Sequence, residues 1–140
     1  ALMITEDLIP ALQGIVPAWI VTTSDKNIPN CTCVSQVYPV DETHVAISNQ
    51  FFSKTFRNLQ NNKHAVVQVI HPADNCMWVL EIEHVRTETE GALFDEMDMQ
   101  LAAIASMSNM EDVFKLQSAY VFKVHSVSHL TEAQHTAQSL

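Results

Sequence analysis

Glycine is nearly absent from this chain: Gly14 and Gly91 are the only two in 140 residues. A Walker-type phosphate loop needs two glycines close together and a dinucleotide-binding βαβ turn needs three, because only glycine lets backbone approach a phosphate that closely. Neither can be built here, so a nucleotide, if bound, is held some other way. Basic residues are also scarce, with seven Lys and Arg against sixteen Asp and Glu and a net charge of −9. Nucleic acid and anionic membrane surfaces select a basic footprint, so no nucleic acid and no membrane are expected as main partners. No apolar run approaches the roughly 18 residues of a membrane span. The first ten residues, ALMITEDLIP, lack the basic-then-apolar pattern of a signal peptide. Cysteine is limited to Cys31, Cys33 and Cys76. An odd count leaves one unpaired, and neighbours two apart on a strand seldom bridge, so all three read as reduced thiols of a cytoplasmic protein. There is no CxxC and no HExxH, and no metal site is expected.

What remains is a chain 47% hydrophobic and 16% charged, the composition of one globular domain. That apolar fraction is high for its size, and surplus apolar surface favours a subunit interface. Thr5 to Gln13 predicts a short helix, with Thr5 as cap, Pro10 weakening it and Gly14 ending it. β-branched and apolar runs predict strands at 18–24, 30–40, 44–50, 64–70, 76–88 and 118–130. In 30–40, Thr32, Val34 and Gln36 are expected to face one way, and Cys31, Cys33, Ser35 and Val37 the other. Helices are predicted at 54–61, capped by Ser53, and at 91–106, where Leu93, Phe94, Met97, Leu101 and Ile104 form one apolar stripe. Six strands with a few short helices point to a mainly β fold, a closed six-stranded antiparallel barrel. The domain is expected to span 1–130, with 131–140 a polar C-terminal tail or linker.

One stretch runs against the overall charge. Lys54, Arg57 and Lys63 lie close together, and no acid occurs from Thr43 to Ala73. Within it, Ser53 opens a helix beginning Lys54-Thr55-Phe56-Arg57. Free backbone N–H groups at a helix start attract anions, and the added hydroxyls and Lys54 suit a phosphate dianion. The plainer alternative is a Ser cap beside two solvated cations. The seven histidines are scattered and read as structural, and no catalytic residue stands out. A nucleophilic Cys33 lacks a neighbouring group to activate it.

The order of segments, from IPNCTCVSQVY through HVAISNQFFSKTFRNLQNNKHAVVQV to a long strand bearing a Trp, resembles the pyridoxamine 5′-phosphate oxidase-like family of FMN-binding split β-barrels. The resemblance covers about Ile15 to Val127. It implies FMN as cofactor, with Ser53, Lys54 and Thr55 on its phosphate and Arg57 one turn further on. It sets Ser48, Asn49 and Gln50 beside the ribityl chain and ring, and the backbone of Cys33, Val34, Ser35 and Gln36 along the isoalloxazine. It lets Trp78 reach the flavin of a partner subunit, in a homodimer with both flavins at the interface. It also implies a flavin-dependent oxidoreductase. The alternatives are a flavin sensor or storage module without turnover, or a relative that binds haem or F420. Two features depart from the oxidase itself: it usually carries an Arg near the position of Thr32, and it ends in a Trp-Arg-Leu segment. This chain has no Arg after Arg86, so FMN binding carries over better than the oxidase reaction.

Overall fold

The computed structural model describes residues 3–34, 36–49, 53–107 and 116–130, apart from the side chains at 53, 104, 105 and 107. Seven strands form one antiparallel sheet: β1 (Ala18–Thr23), β2 (Pro29–Val34), β3 (Tyr38–Pro39), β4 (His44–Asn49), β5 (His64–Ile70), β6 (Met77–Glu88) and β7 (Ser118–Leu130), in the order β2-β1-β5-β6-β7-β4-β3. Three helices accompany them: α1 (Ile9–Leu12), α2 (Ser53–Asn61) and α3 (Ala92–Met107).

Two expectations need correction here. The stretch 30–40 is two strands rather than one, and the hydrogen-bonded ladder does not close. β2 pairs with β1 at one edge of the sheet, while β3 pairs with β4 at the other. Between them the chain leaves the ladder, and the Val37 N–H donates to the Leu12 carbonyl at 3.0 Å. The break nevertheless forces the sheet to curl. Four residues from Val34 to Tyr38 reach at most about 14 Å, whereas the edges of a flat seven-stranded sheet stand about 29 Å apart. The result is a barrel split along one seam. A further correction is at α1, which is four residues long with Leu8 as N-cap and no side-chain cap. Thr5 instead closes the preceding turn, its carbonyl accepting from Leu8 N–H at 3.1 Å.

Alternation along the strands fills the barrel. Ile20, Val67, Leu80, Ile82, Phe122 and Val124 point inward and are essentially buried. α2 covers one end of the barrel, with Leu59 in the core and the buried Asn58 amide donating to the Thr22 hydroxyl at 3.1 Å. α3 lies on the outside, where Met97 and Leu101 pack with Ala46, Ala119 and Val121. β7 is therefore covered on both faces, which explains why Ser118 to Phe122 are all buried. Among the described residues, nothing comparable covers the outer face of β1, β2 and β5. Trp19, Val21 and Val66 are exposed there, beside the exposed Cys31 and Cys33. The stretch 131–140, expected as a tail, lies outside the described residues.

Candidate functional site

The start of α2 gathers the cations that the sequence isolates. Lys54 and Arg57 both face solvent. The ion pairs among the described residues are His44–Asp41, His71–Asp74, Arg86–Glu88 and His125–Glu83, so no carboxylate of the described residues pairs with either α2 cation. The first-turn N–H groups of a helix add partial positive charge at the same place.

Thr55 behaves differently. It is buried, and its hydroxyl accepts from the Asn30 amide at 3.3 Å, bolting α2 to β2. Its side chain is committed to the fold, which leaves its backbone N–H as the group facing an anion. β4 ends at Asn49, four residues before α2 begins at Ser53. Asn49 is buried, pairs with Ser118, and accepts from Gln117 N–H at 3.1 Å through its carbonyl. Ser35 and Gln50 lie outside the described residues, as does the side chain of Ser53.

Along β2, Cys33 projects outward and Val34 inward into the core. Cys33 lies about 10 Å along the strand from Asn30, the residue that touches Thr55. β2 is an edge strand, and among the described residues no strand pairs with its outer backbone edge. A flat ring could take hydrogen bonds from that edge, and the phosphate end would then reach α2. The residues thus fit FMN in their arrangement of cations, helix start and open strand edge. Gln36 turns towards α3, its amide donating to Gln100 Oε1 at 2.8 Å.

Trp78 is not brought to this cluster. Its ring is buried in the main core, stacked on His129 with centroids 4.1 Å apart, and its indole N–H has no partner among the described residues. Pairing with Val69 and His129 sets it at the end of the barrel opposite α2.

The structure also assembles a group that no spacing in the sequence reveals. On the uncovered outer face, near the C-terminal end of α2, a groove of about 600 Å³ is lined by His64, Glu81, Glu83 and His125 over Val21 and Val66. His125 Nε2 meets Glu83 Oε1 at 2.8 Å, and the Ser126 hydroxyl donates to Glu81 at 2.8 Å. The hydrogen bond from His125 holds the Glu83 carboxyl below its ordinary range. Alternation in 76–88 aligns Glu81 with Glu83, but only the register of three strands brings the histidines to them. Elsewhere, His84 is half-buried and stacks on Tyr120 at 4.8 Å, and burial pushes its imidazole pKa down. Among the described residues no group of three His, Cys, Asp or Glu could hold a metal ion, and no helix is long and apolar enough to cross a membrane.

Comparison with known proteins places this geometry. The sequence matches the family model described as pyridoxamine 5′-phosphate oxidase over residues 4–129. No curated protein sequence matches. Among solved structures, the fold is similar to an FMN-binding protein from Syntrophomonas wolfei subsp. wolfei, with TM-score 0.74, 17% identity, and coverage of 90% of this chain and 87% of that one. HupZ of Group A Streptococcus superposes with TM-score 0.71 at 15% identity, over 93% of this chain and 96% of its own. An F420 reductase does so with TM-score 0.61 at 12% identity, over 89% and 98%. These identities establish a shared fold, and the family match spans nearly the whole described barrel: the chain belongs to the pyridoxamine 5′-phosphate oxidase family.

Proposed function

We propose that this protein binds FMN, with the phosphate at the start of α2, and works as a flavin-dependent oxidoreductase. The observation that carries the reading is the pair of exposed, unpaired cations Lys54 and Arg57 on a helix start within a stretch free of acids. Lys54, Arg57, Ser53 and the first N–H groups of α2 hold the phosphate. Ser48, Asn49 and Gln50 flank the ribityl chain, and the edge backbone of Cys33 to Gln36 lies along the ring. Thr55 contributes through its N–H, and Trp78 supports the barrel from its far end. The bound flavin would supply the redox chemistry, and these residues anchor and orient it.

The same reading makes the protein a homodimer. The second copy sits on the uncovered face of β1, β2 and β5, where Trp19, Val21 and Val66 are exposed and continuous with the flavin strand. This places both flavins at the interface. The substrate differs from pyridoxamine 5′-phosphate, since that dianion wants a second arginine site and only Arg57 and Arg86 exist in the chain.

Titration of the purified protein with FMN, F420 and haemin tests the assignment. Saturable uptake of FMN at one per chain, with the flavin bands near about 370 and 450 nm, is the expected result. Preferential uptake of haemin or F420 would overturn the cofactor. Failure of every reductant screened to bleach bound flavin would make the protein a sensor or store rather than an enzyme.

A further inference from the structure

A second cavity, of about 380 Å³, opens between α1, β3 and α3. That volume lies within the usual range for small-ligand sites, roughly 300–1,000 Å³. Among the described residues its walls carry no charged side chain. Ile9, Leu12 and Pro39 supply apolar surface, and Gln13, Gln36 and Gln100 supply amides beside Tyr38. The Gln36 amide donates to Gln100 Oε1 at 2.8 Å. This bond uses one Gln36 N–H and one Gln100 lone pair, so the Gln36 Oε1 keeps its acceptor capacity and the Gln100 NH₂ its donor capacity. The Tyr38 hydroxyl is engaged by Glu96, which fixes the wall between β3 and α3.

We propose that this cavity binds a small neutral ring compound bearing a carboxamide or lactam edge. Such an edge presents an N–H beside a C=O and answers the acceptor and donor that the glutamine pair leaves open. The apolar residues take the ring body. An anion would lose its hydration here without meeting an opposite charge, and Glu96 stands behind Tyr38, so anionic analogues are rejected. The inference goes beyond flavin binding, because Gln13 and Gln100 have no part in that reading. Gln36 is common to both, so FMN enters the test as a competitor.

The experiment is an amide NMR titration of the FMN-saturated protein with nicotinamide and with uracil, using benzoate as the charged control. Saturable shifts around Leu12, Gln36 and Gln100 are expected, with a Kd at or below about 1 mM and benzoate at least about tenfold weaker. Gln100→Leu should weaken binding about tenfold or more, and so should Gln100→Glu, which keeps the size but loses the donor. The proposal fails if neither probe saturates by about 10 mM, if benzoate binds as well, or if both variants leave affinity unchanged. It also fails if flavin-free protein binds the probes and added FMN displaces them, which would assign the cavity to the flavin.

Discussion

Thr55 shows the difference between a residue type and its role. Beside Ser53 and Lys54 its hydroxyl reads as a phosphate ligand, but its side chain is buried and bonded to Asn30 across the α2–β2 contact. Which way a side chain on a short helix points depends on where the helix docks, and local sequence does not hold that information. Thr55→Val leaves the Asn30 amide without its acceptor. Stability should fall by about 1–3 kcal/mol in urea unfolding, while FMN affinity changes far less than on loss of Lys54. Tyr38 gives a pH-dependent prediction at the same scale. Burial, then the hydrogen bond to Glu96, raises its pKa from 10.0 to about 12. The folded state therefore keeps a proton that the unfolded chain loses first. This contribution to stability is fully present below pH 10 and is lost as pH rises from 10 towards 12. Urea midpoints across that window should fall more steeply for the native protein than for Tyr38→Phe.

At the scale of elements, strong periodicity made much of the fold legible. The strands at 64–70 and 118–130 match expectation residue for residue, and 76–88 begins one residue later. β5 alternates buried and open positions cleanly, which is the pattern a barrel wall leaves in a sequence. The stretch 30–40 was not legible in the same way. Its residues suit one continuous strand, and the break arises because Val37 bonds to Leu12 and the two halves serve opposite edges. That is a long-range demand with no local signature. α3 is an intermediate case: its apolar stripe foretold a packed helix, but not that it would cover the outside of β4 and β7. The prediction here concerns that outer layer. Leu101→Ala removes a buried side chain between α3 and the sheet, and should cost about 2–5 kcal/mol. An unfolding free energy within about 0.5 kcal/mol of the native value, the size of an ordinary surface change, would mean that α3 is not part of the cooperative unit.

For the whole molecule, the decisive asymmetry is that one half of the barrel exterior is covered by α3 and the other half is bare. Among the described residues, the half without α3 presents Trp19, Val21 and Val66. The candidate site was legible only where its parts are contiguous. The α2 start could be read from 53–57, whereas the His64–Glu83–His125 cluster and the Gln36–Gln100 pair are made by register and packing. If a second copy covers the bare face, the interface should bury more than about 2,000 Å², and Trp19→Glu with Val66→Lys should yield monomers by light scattering at micromolar concentration. A native protein that is monomeric there while holding FMN would remove the shared-site arrangement.

The central claim is that the α2 cations hold the FMN phosphate, and a fluorescence titration of flavin against folded protein addresses it most directly. Three proteins are compared: native, Lys54→Ala, and Lys123→Ala, an exposed lysine on β7 whose register partners are His44 and Glu83. Loss of one charge-assisted hydrogen bond, about 1.5–3 kcal/mol, corresponds to roughly 10- to 100-fold weaker binding. That loss is expected for Lys54→Ala and not for Lys123→Ala. Equal affinity in all three proteins would contradict the assignment.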